Sequence, residues 1–198
     1  MGFVELKQDG KLFVDLQYPK QNMANATDRC LLRRDAVLRL KKAAGFLLEG
    51  VCLCIWDAWR PFALQTELYA EYAGALSARG MDPDAYVCPP CREFGQEPVH
   101  TTGGAVDVTL CGPSGQLLDM GSAFDDFGPV ARAFADGLDP EVMERRALLR
   151  NVMLQSGFTV YGPEWWHFDF GDRFWAMQKG KAVVYSGVFT EDDIVFEM

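Results

Sequence analysis

At 198 residues, with 49% hydrophobic and 24% charged side chains, the chain is long enough to bury one core and has no bias toward disorder. A formal charge of -9 with no Lys/Arg-rich stripe excludes the phosphate-neutralising surface on which nucleic-acid affinity rests, and disfavours anionic membranes. The N-terminus has no basic segment followed by an apolar one, and no apolar run reaches the roughly 18 residues of a transmembrane helix. The expectation is a cytoplasmic single domain over residues 1–198, with a homo-oligomer left open.

Strand character appears first around Leu12 to Leu16. From Asp35 to Leu48, the spacing of Ala36, Val37, Leu40, Ala44, Leu47 and Leu48 predicts a helix that Gly50 ends. Val51 to Trp56 is a continuous apolar run and reads as a core strand. Asp57-Ala58-Trp59-Arg60-Pro61 follows, with Pro61 expected at a first helical position and Phe62, Leu64, Leu68, Tyr72 and Leu76 continuing at helical spacing toward Gly80. Arg60 is thereby placed at a strand-to-helix junction.

Residues 81–99 carry no clear period and read as a long loop. Ala105 to Leu110 is strand-like, with Asp107 on the strand and His100 in the turn that leads to it. Gly103 and Gly104 make that turn accessible. A turn at Gly112-Pro113-Ser114-Gly115 and an aspartate-rich loop over 119–128 come next. Asp139 caps a helix that begins at Pro140 and ends at Gly157. Phe158 to Val160 and Trp166 to Phe170 read as strands joined through a Gly162-Pro163 turn. Such turns are too short for parallel crossovers, so the fold class is α+β, with a central, mainly antiparallel sheet flanked by helices.

The chain has only two histidines, His100 and His167. One has an aspartate, Asp107, seven residues downstream; the other has a glutamate, Glu164, three residues upstream. A catalytic zinc takes three N or O ligands and leaves one position open, with a carboxylate nearby to accept a proton from water. A histidine among aromatics is ordinarily a satisfied core residue, and a glutamate after a proline turn an ordinary surface one. Their joint occurrence points to a hydrolytic metal site.

Of the six cysteines, Cys30, Cys52, Cys54 and Cys111 read as reduced thiols, and Cys52 and Cys54 alternate in a core strand. Cys88-Pro89-Pro90-Cys91 is a pair that could bind zinc or cycle redox state, but a closed structural site needs a second pair, and none is evident. The reading is free thiols or an incidental disulfide.

Asp57-Ala58-Trp59-Arg60-Pro61, His100-x-x-Gly103-x-Ala105-x-Asp107, Met120-Gly121-Ser122-Ala123-Phe124-Asp125 and Glu164-Trp165-Trp166-His167 resemble, in order, the motifs of the VanX-type D-alanyl-D-alanine dipeptidases. The segment from Arg145 to Phe158 is similar to the one preceding the last motif there, so the resemblance runs from about Tyr18 to Phe168. It implies a hedgehog/DD-peptidase-like fold and one zinc per chain, held by His100, Asp107 and His167. It also implies Glu164 as catalytic base, Arg60 as oxyanion stabiliser, and Asp125 and Tyr18 as substrate-binding residues, with a small dipeptide as substrate. Family members usually have a serine where this chain has Pro98, so Thr101 or Thr102 is expected to supply the missing donor. Alternative readings are a peptidoglycan D,D-carboxypeptidase or L,D-endopeptidase acting on longer muropeptides, a non-catalytic zinc-binding module, and a redox protein using Cys88 and Cys91.

Overall fold

In the computed structural model, which describes residues 2–197, two sheets are built from seven short strands. The elements in chain order are β1 (Phe3–Glu5), β2 (Leu12–Val14), α1 (Gln17–Lys20), β3 (Leu31–Arg33), α2 (Arg34–Phe46), β4 (Cys52–Asp57), α3 (Phe62–Ala78), β5 (Val106–Cys111), α4 (Pro140–Ser156), β6 (Thr159–Val160), β7 (His167–Asp169) and α5 (Arg173–Lys179). The larger sheet has the order β2-β4-β5-β7-β6, and β1 pairs with β3 in the smaller one. Only the β2–β4 pair is parallel; β4–β5, β5–β7 and β6–β7 are antiparallel. The fold is α+β with a mainly antiparallel sheet.

β4 and β5 are buried along their whole length, which explains why Cys52-Leu53-Cys54-Ile55-Trp56 and Val106, Val108 and Leu110 are apolar without strict alternation. α2 and α4 pack against each other. Leu40, Leu53, Ile55, Val108, Leu110, Leu149 and Met153, none of them measurably exposed, belong to one continuous core. Cutting Leu149 or Met153 back to alanine is of the kind that costs about 2–5 kcal/mol.

Helix ends follow local chemistry. Asp139 caps α4 by accepting from the Glu141 amide at 2.9 Å, and Gly157 ends it at φ 107°. Pro61, by contrast, does not begin α3. Its ψ of 144° is extended, and its carbonyl accepts from the Gln65 amide at 3.1 Å, so it is the cap and Phe62 the first helical residue. β4 ends in an irregularity: the register with β5 shifts between Ile55 and Asp57, which brings Asp57 opposite Asp107. Among the described residues, no helix is long and apolar enough to cross a membrane.

Candidate active site

His100 lies in a 3-10 turn, Val99–Thr102, that Gly103 closes at φ 71°. A Cβ on Gly103 would come within 2.3 Å of the Phe3 ring, and one on Gly104 within 2.1 Å of the Phe170 carbonyl oxygen, so both glycines are required. The chain then enters β5, whose Asp107 is directly paired with His167 of β7. Sequence-distant residues thus meet through sheet register.

Both imidazoles are oriented from behind. His100 Nδ1 is 2.8 Å from the Ala58 carbonyl oxygen, and His167 Nε2 is 2.8 Å from Asp169 Oδ1. Each of these nitrogens is assigned the proton because its partner only accepts, which leaves lone pairs on His100 Nε2 and His167 Nδ1. Those two nitrogens are 3.1 Å apart, and Asp107 approaches them at 3.4 and 3.0 Å through its two oxygens. The three side chains are buried and offer ligand atoms within 4.8 Å of one another. Tetrahedral zinc, at about 2.0–2.1 Å from N or O ligands, needs ligand atoms roughly 3.3 Å apart, so this donor set fits that ion.

The electrostatics favour a cation at the same point. Burial alone would raise the Asp107 carboxyl, but the charges and hydrogen bonds of His100 and His167 hold it well below the usual carboxylate range. Burial would lower His167, yet Asp169 and Asp107 hold it well above the usual imidazole range. Carboxylates on both sides of the ring draw positive charge inward, a demand that a divalent cation meets.

Glu164 Oε2 is 4.0 Å from His167 Nδ1, too far to be a hydrogen-bond partner and close enough to face the same space. Burial pushes its carboxyl up to about 8. Arg60 is buried and fixed on three sides. Its Nε donates to Asp57 Oδ2 at 3.0 Å, Nη1 to Gln65 Oε1 at 2.7 Å and Nη2 to the Tyr18 hydroxyl at 3.1 Å. Nη2 also lies 3.8 Å from Asp107 Oδ2. Asp125, at φ 57°, accepts from the Tyr18 and Tyr72 hydroxyls at 3.4 and 3.0 Å. Burial pushes it up to about 7.

The seven residues to which the resemblance gives a metal, catalytic or substrate-binding role, His100, Asp107, His167, Glu164, Arg60, Asp125 and Tyr18, line one cavity of about 80 Å³. Between Glu164 and His167 in the chain, the buried Trp165 and Trp166 pack edge-on against Trp56 and Phe124 with centroids 5.6 and 5.8 Å apart. Thr101 and Thr102 do not take over the donor role expected of them. Their buried hydroxyls donate to the Pro98 and Val99 carbonyls at 2.7 and 2.6 Å, as threonines in a tight turn tend to do, and neither lines the cavity. Sequence reasoning also gave no role to Asp57, Gln65, Tyr72 and Asp169. For Asp169 a signal exists: two positions after His167 on a strand, it shares that residue's face.

A family model described as D-ala-D-ala dipeptidase, of the M15 peptidases, matches residues 14–184. A D-alanyl-D-alanine dipeptidase from Escherichia coli (strain K12) is 33% identical over 142 residues, 71% of this chain and 67% of that protein. One from Enterococcus faecium is 29% identical over 152 residues, 70% of this chain and 71% of its own length. A solved structure of the vancomycin resistance D,D-pentapeptidase VanY in complex with Zn(II) covers 80% of this chain and 85% of its own, at 15% identity and a TM-score of 0.47. The family match, spanning most of the chain, together with the Escherichia coli relative, places this protein in the M15 peptidase family of D-alanyl-D-alanine dipeptidases.

Proposed function

We propose that this chain hydrolyses D-alanyl-D-alanine, or a close D,D-dipeptide, to free amino acids, using one zinc held by His100, Asp107 and His167. The observation that carries this reading is the convergence of two imidazole lone pairs and a carboxylate on a cavity also lined by Glu164 and Arg60. Zinc, when bound, supplies a Lewis acid that makes hydroxide available near pH 7.

Glu164 accepts the proton of the attacking water and returns it to the leaving amine. Burial raises its affinity for protons, and a divalent cation held by His100, Asp107 and His167 would draw that affinity back toward neutrality, where one group can serve as both base and acid. Arg60 faces the oxygen that becomes negative in the tetrahedral intermediate, already fixed by Asp57, Gln65 and Tyr18 and never losing its charge. Asp125, steadied by Tyr18 and Tyr72, receives the substrate's ammonium group. Complete removal of metal by a chelator should abolish hydrolysis of D-alanyl-D-alanine, and zinc should restore it. Activity that survives metal removal overturns the reading.

A second reading, cleavage of longer muropeptides, is favoured by one observation. A groove of about 460 Å³, lined by Arg79, Arg132 and Pro163 among others, shares Tyr86, Phe127 and Glu164 with the catalytic cavity. An N-acetylated D,D-dipeptide separates the two: a dipeptidase that requires the free ammonium ignores it, whereas a carboxypeptidase cleaves it.

A further inference from the structure

The six cysteines fall into two groups: Cys30, Cys52, Cys54 and Cys111 are buried, whereas Cys88 and Cys91 are partly exposed free thiols. Cys88 is also part of the wall of the catalytic cavity. Its sulfur accepts from Arg173 Nη2 at 3.6 Å, and its carbonyl accepts from Gln65 Nε2 at 2.6 Å. Through its other end, Gln65 accepts from Arg60 Nη1 at 2.7 Å. The backbone at Cys88 is therefore one side chain away from the guanidinium. Among the described residues, the sole group of three or more metal-capable side chains is His100, Asp107 and His167, so nothing closes a metal site around the cysteine pair.

We infer that Cys88 and Cys91 form a reversible thiol–disulfide switch, in which closing the disulfide withdraws Gln65 from Arg60 and slows hydrolysis. This rests on the peptidase reading above. No turn or bend interrupts residues 88–92. Both cysteines are free thiols, and in an unturned Pro-Pro segment, with a rise of about 3.1 Å per residue, residues three apart stand beyond the roughly 7 Å at which a disulfide can close. The structure is thus the dithiol form. Disulfide formation must turn the chain at Pro89-Pro90, and that turn moves the Cys88 carbonyl on which Gln65 depends.

The oxidant is a low-molecular-weight disulfide such as oxidised glutathione. The Cys88 thiolate attacks one of its sulfurs, forming a mixed disulfide and expelling one thiolate. The Cys91 thiolate then attacks the Cys88 sulfur and expels the second. Two protein thiols lose two electrons and two protons, and the small disulfide becomes two thiols. Four cysteines are shielded in the core, so the exchange is confined to this pair.

The test uses the zinc-loaded full chain, treated with oxidised glutathione and desalted. Expected are a mass loss of about 2 Da with two thiols consumed, a proteolytic peptide linking Cys88 to Cys91, and a kcat for D-alanyl-D-alanine lowered about tenfold. A phosphine reductant should reverse all three. Amide hydrogen exchange should rise in the first turns of α3, around Gln65, a readout that needs no activity. Cys91→Ser should keep the untreated rate and stall as a glutathione adduct visible by mass. Cys88→Ala can form only a glutathione adduct at Cys91, and neither its rate, whatever its starting value, nor the exchange around Gln65 should change on treatment. Retention of both thiols in the wild type overturns the proposal, and so does a disulfide that leaves exchange around Gln65 unaltered. If the reduced, zinc-loaded chain hydrolyses no D,D-dipeptide, it is the peptidase reading that fails, while mass and exchange still decide the switch.

Discussion

Nε2 of His167 lies 2.8 Å from Oδ1 of Asp169, a carboxylate with no exposed surface that follows two residues later on β7. The pair fixes which imidazole nitrogen faces the cavity. Asp169→Asn keeps an acceptor but removes the charge that strengthens His167 as a ligand. Zinc affinity should fall about 10–100-fold, measured by competition with a chelating dye, while far-UV circular dichroism stays unchanged. Unaltered affinity would reduce Asp169 to a packing residue.

Arg60→Lys retains a positive charge but not the fork that reaches Asp57, Gln65 and Tyr18 together. We expect kcat to fall by about 10²–10³ with a smaller change in KM, as when one oxyanion donor is lost. Arg60→Ala should also lower the melting temperature, because it strands Asp57, only 6% exposed, without its counter-charge. Breaking a buried ion pair of this kind costs about 3–5 kcal/mol.

On the proposed mechanism, Glu164→Gln removes the proton acceptor without removing a metal ligand, since the carboxylate stands 4.0 Å from His167. Steady-state kinetics should show kcat reduced by about 10²–10⁴, and native mass spectrometry should show one zinc per chain retained. Loss of the zinc together with the activity would mean that Glu164 is a ligand.

Asp172 offers a pH test of stability. It caps α5 by accepting from the Trp175 amide at 3.0 Å, and its other oxygen is buried without a partner. Burial, reinforced by the Asp169 charge, pushes its carboxyl from 3.8 up to about 7. Between those values the folded protein holds a proton that the unfolded chain has released. The contribution is therefore fully present below the lower value and is lost as pH rises through the upper one. Asp172→Asn preserves the cap and never ionises. Thermal melts should show the variant gaining on the native protein more at about pH 8 than at about pH 5.

Short local spacings, His100 to Asp107 and Glu164 to His167, pointed to a metal site, the family resemblance alone supplied the roles of Arg60, Asp125 and Tyr18, and the helices at Arg34–Phe46, Phe62–Ala78 and Pro140–Ser156 were legible from apolar stripes or clear caps. What escaped was non-local. β1 and β3 are three-residue strands that pair with each other, Phe3 opposite Arg33, across about thirty residues that no short window of sequence spans. α5 covers seven residues, too few for a helical period to stand out. Arg60 was placed at its junction from sequence, but Gln65 and Asp57 acquire roles only once the bulge in β4 and the start of α3 aim them at the guanidinium. Thr101 and Thr102 misled because a hydroxyl's direction depends on the turn that contains it.

The Gly103 turn has a further consequence. Phe3 fills the space where a side chain on Gly103 would sit, and the Arg33 amide donates to the Gly103 carbonyl at 2.8 Å. The small β1–β3 sheet is therefore a splint for the strand-entry turn that carries His100, although neither strand contributes a metal ligand. On the proposed zinc reading, a substitution that removes the Phe3 ring loosens this turn and weakens zinc binding at a distance, in a molecule whose main core is untouched.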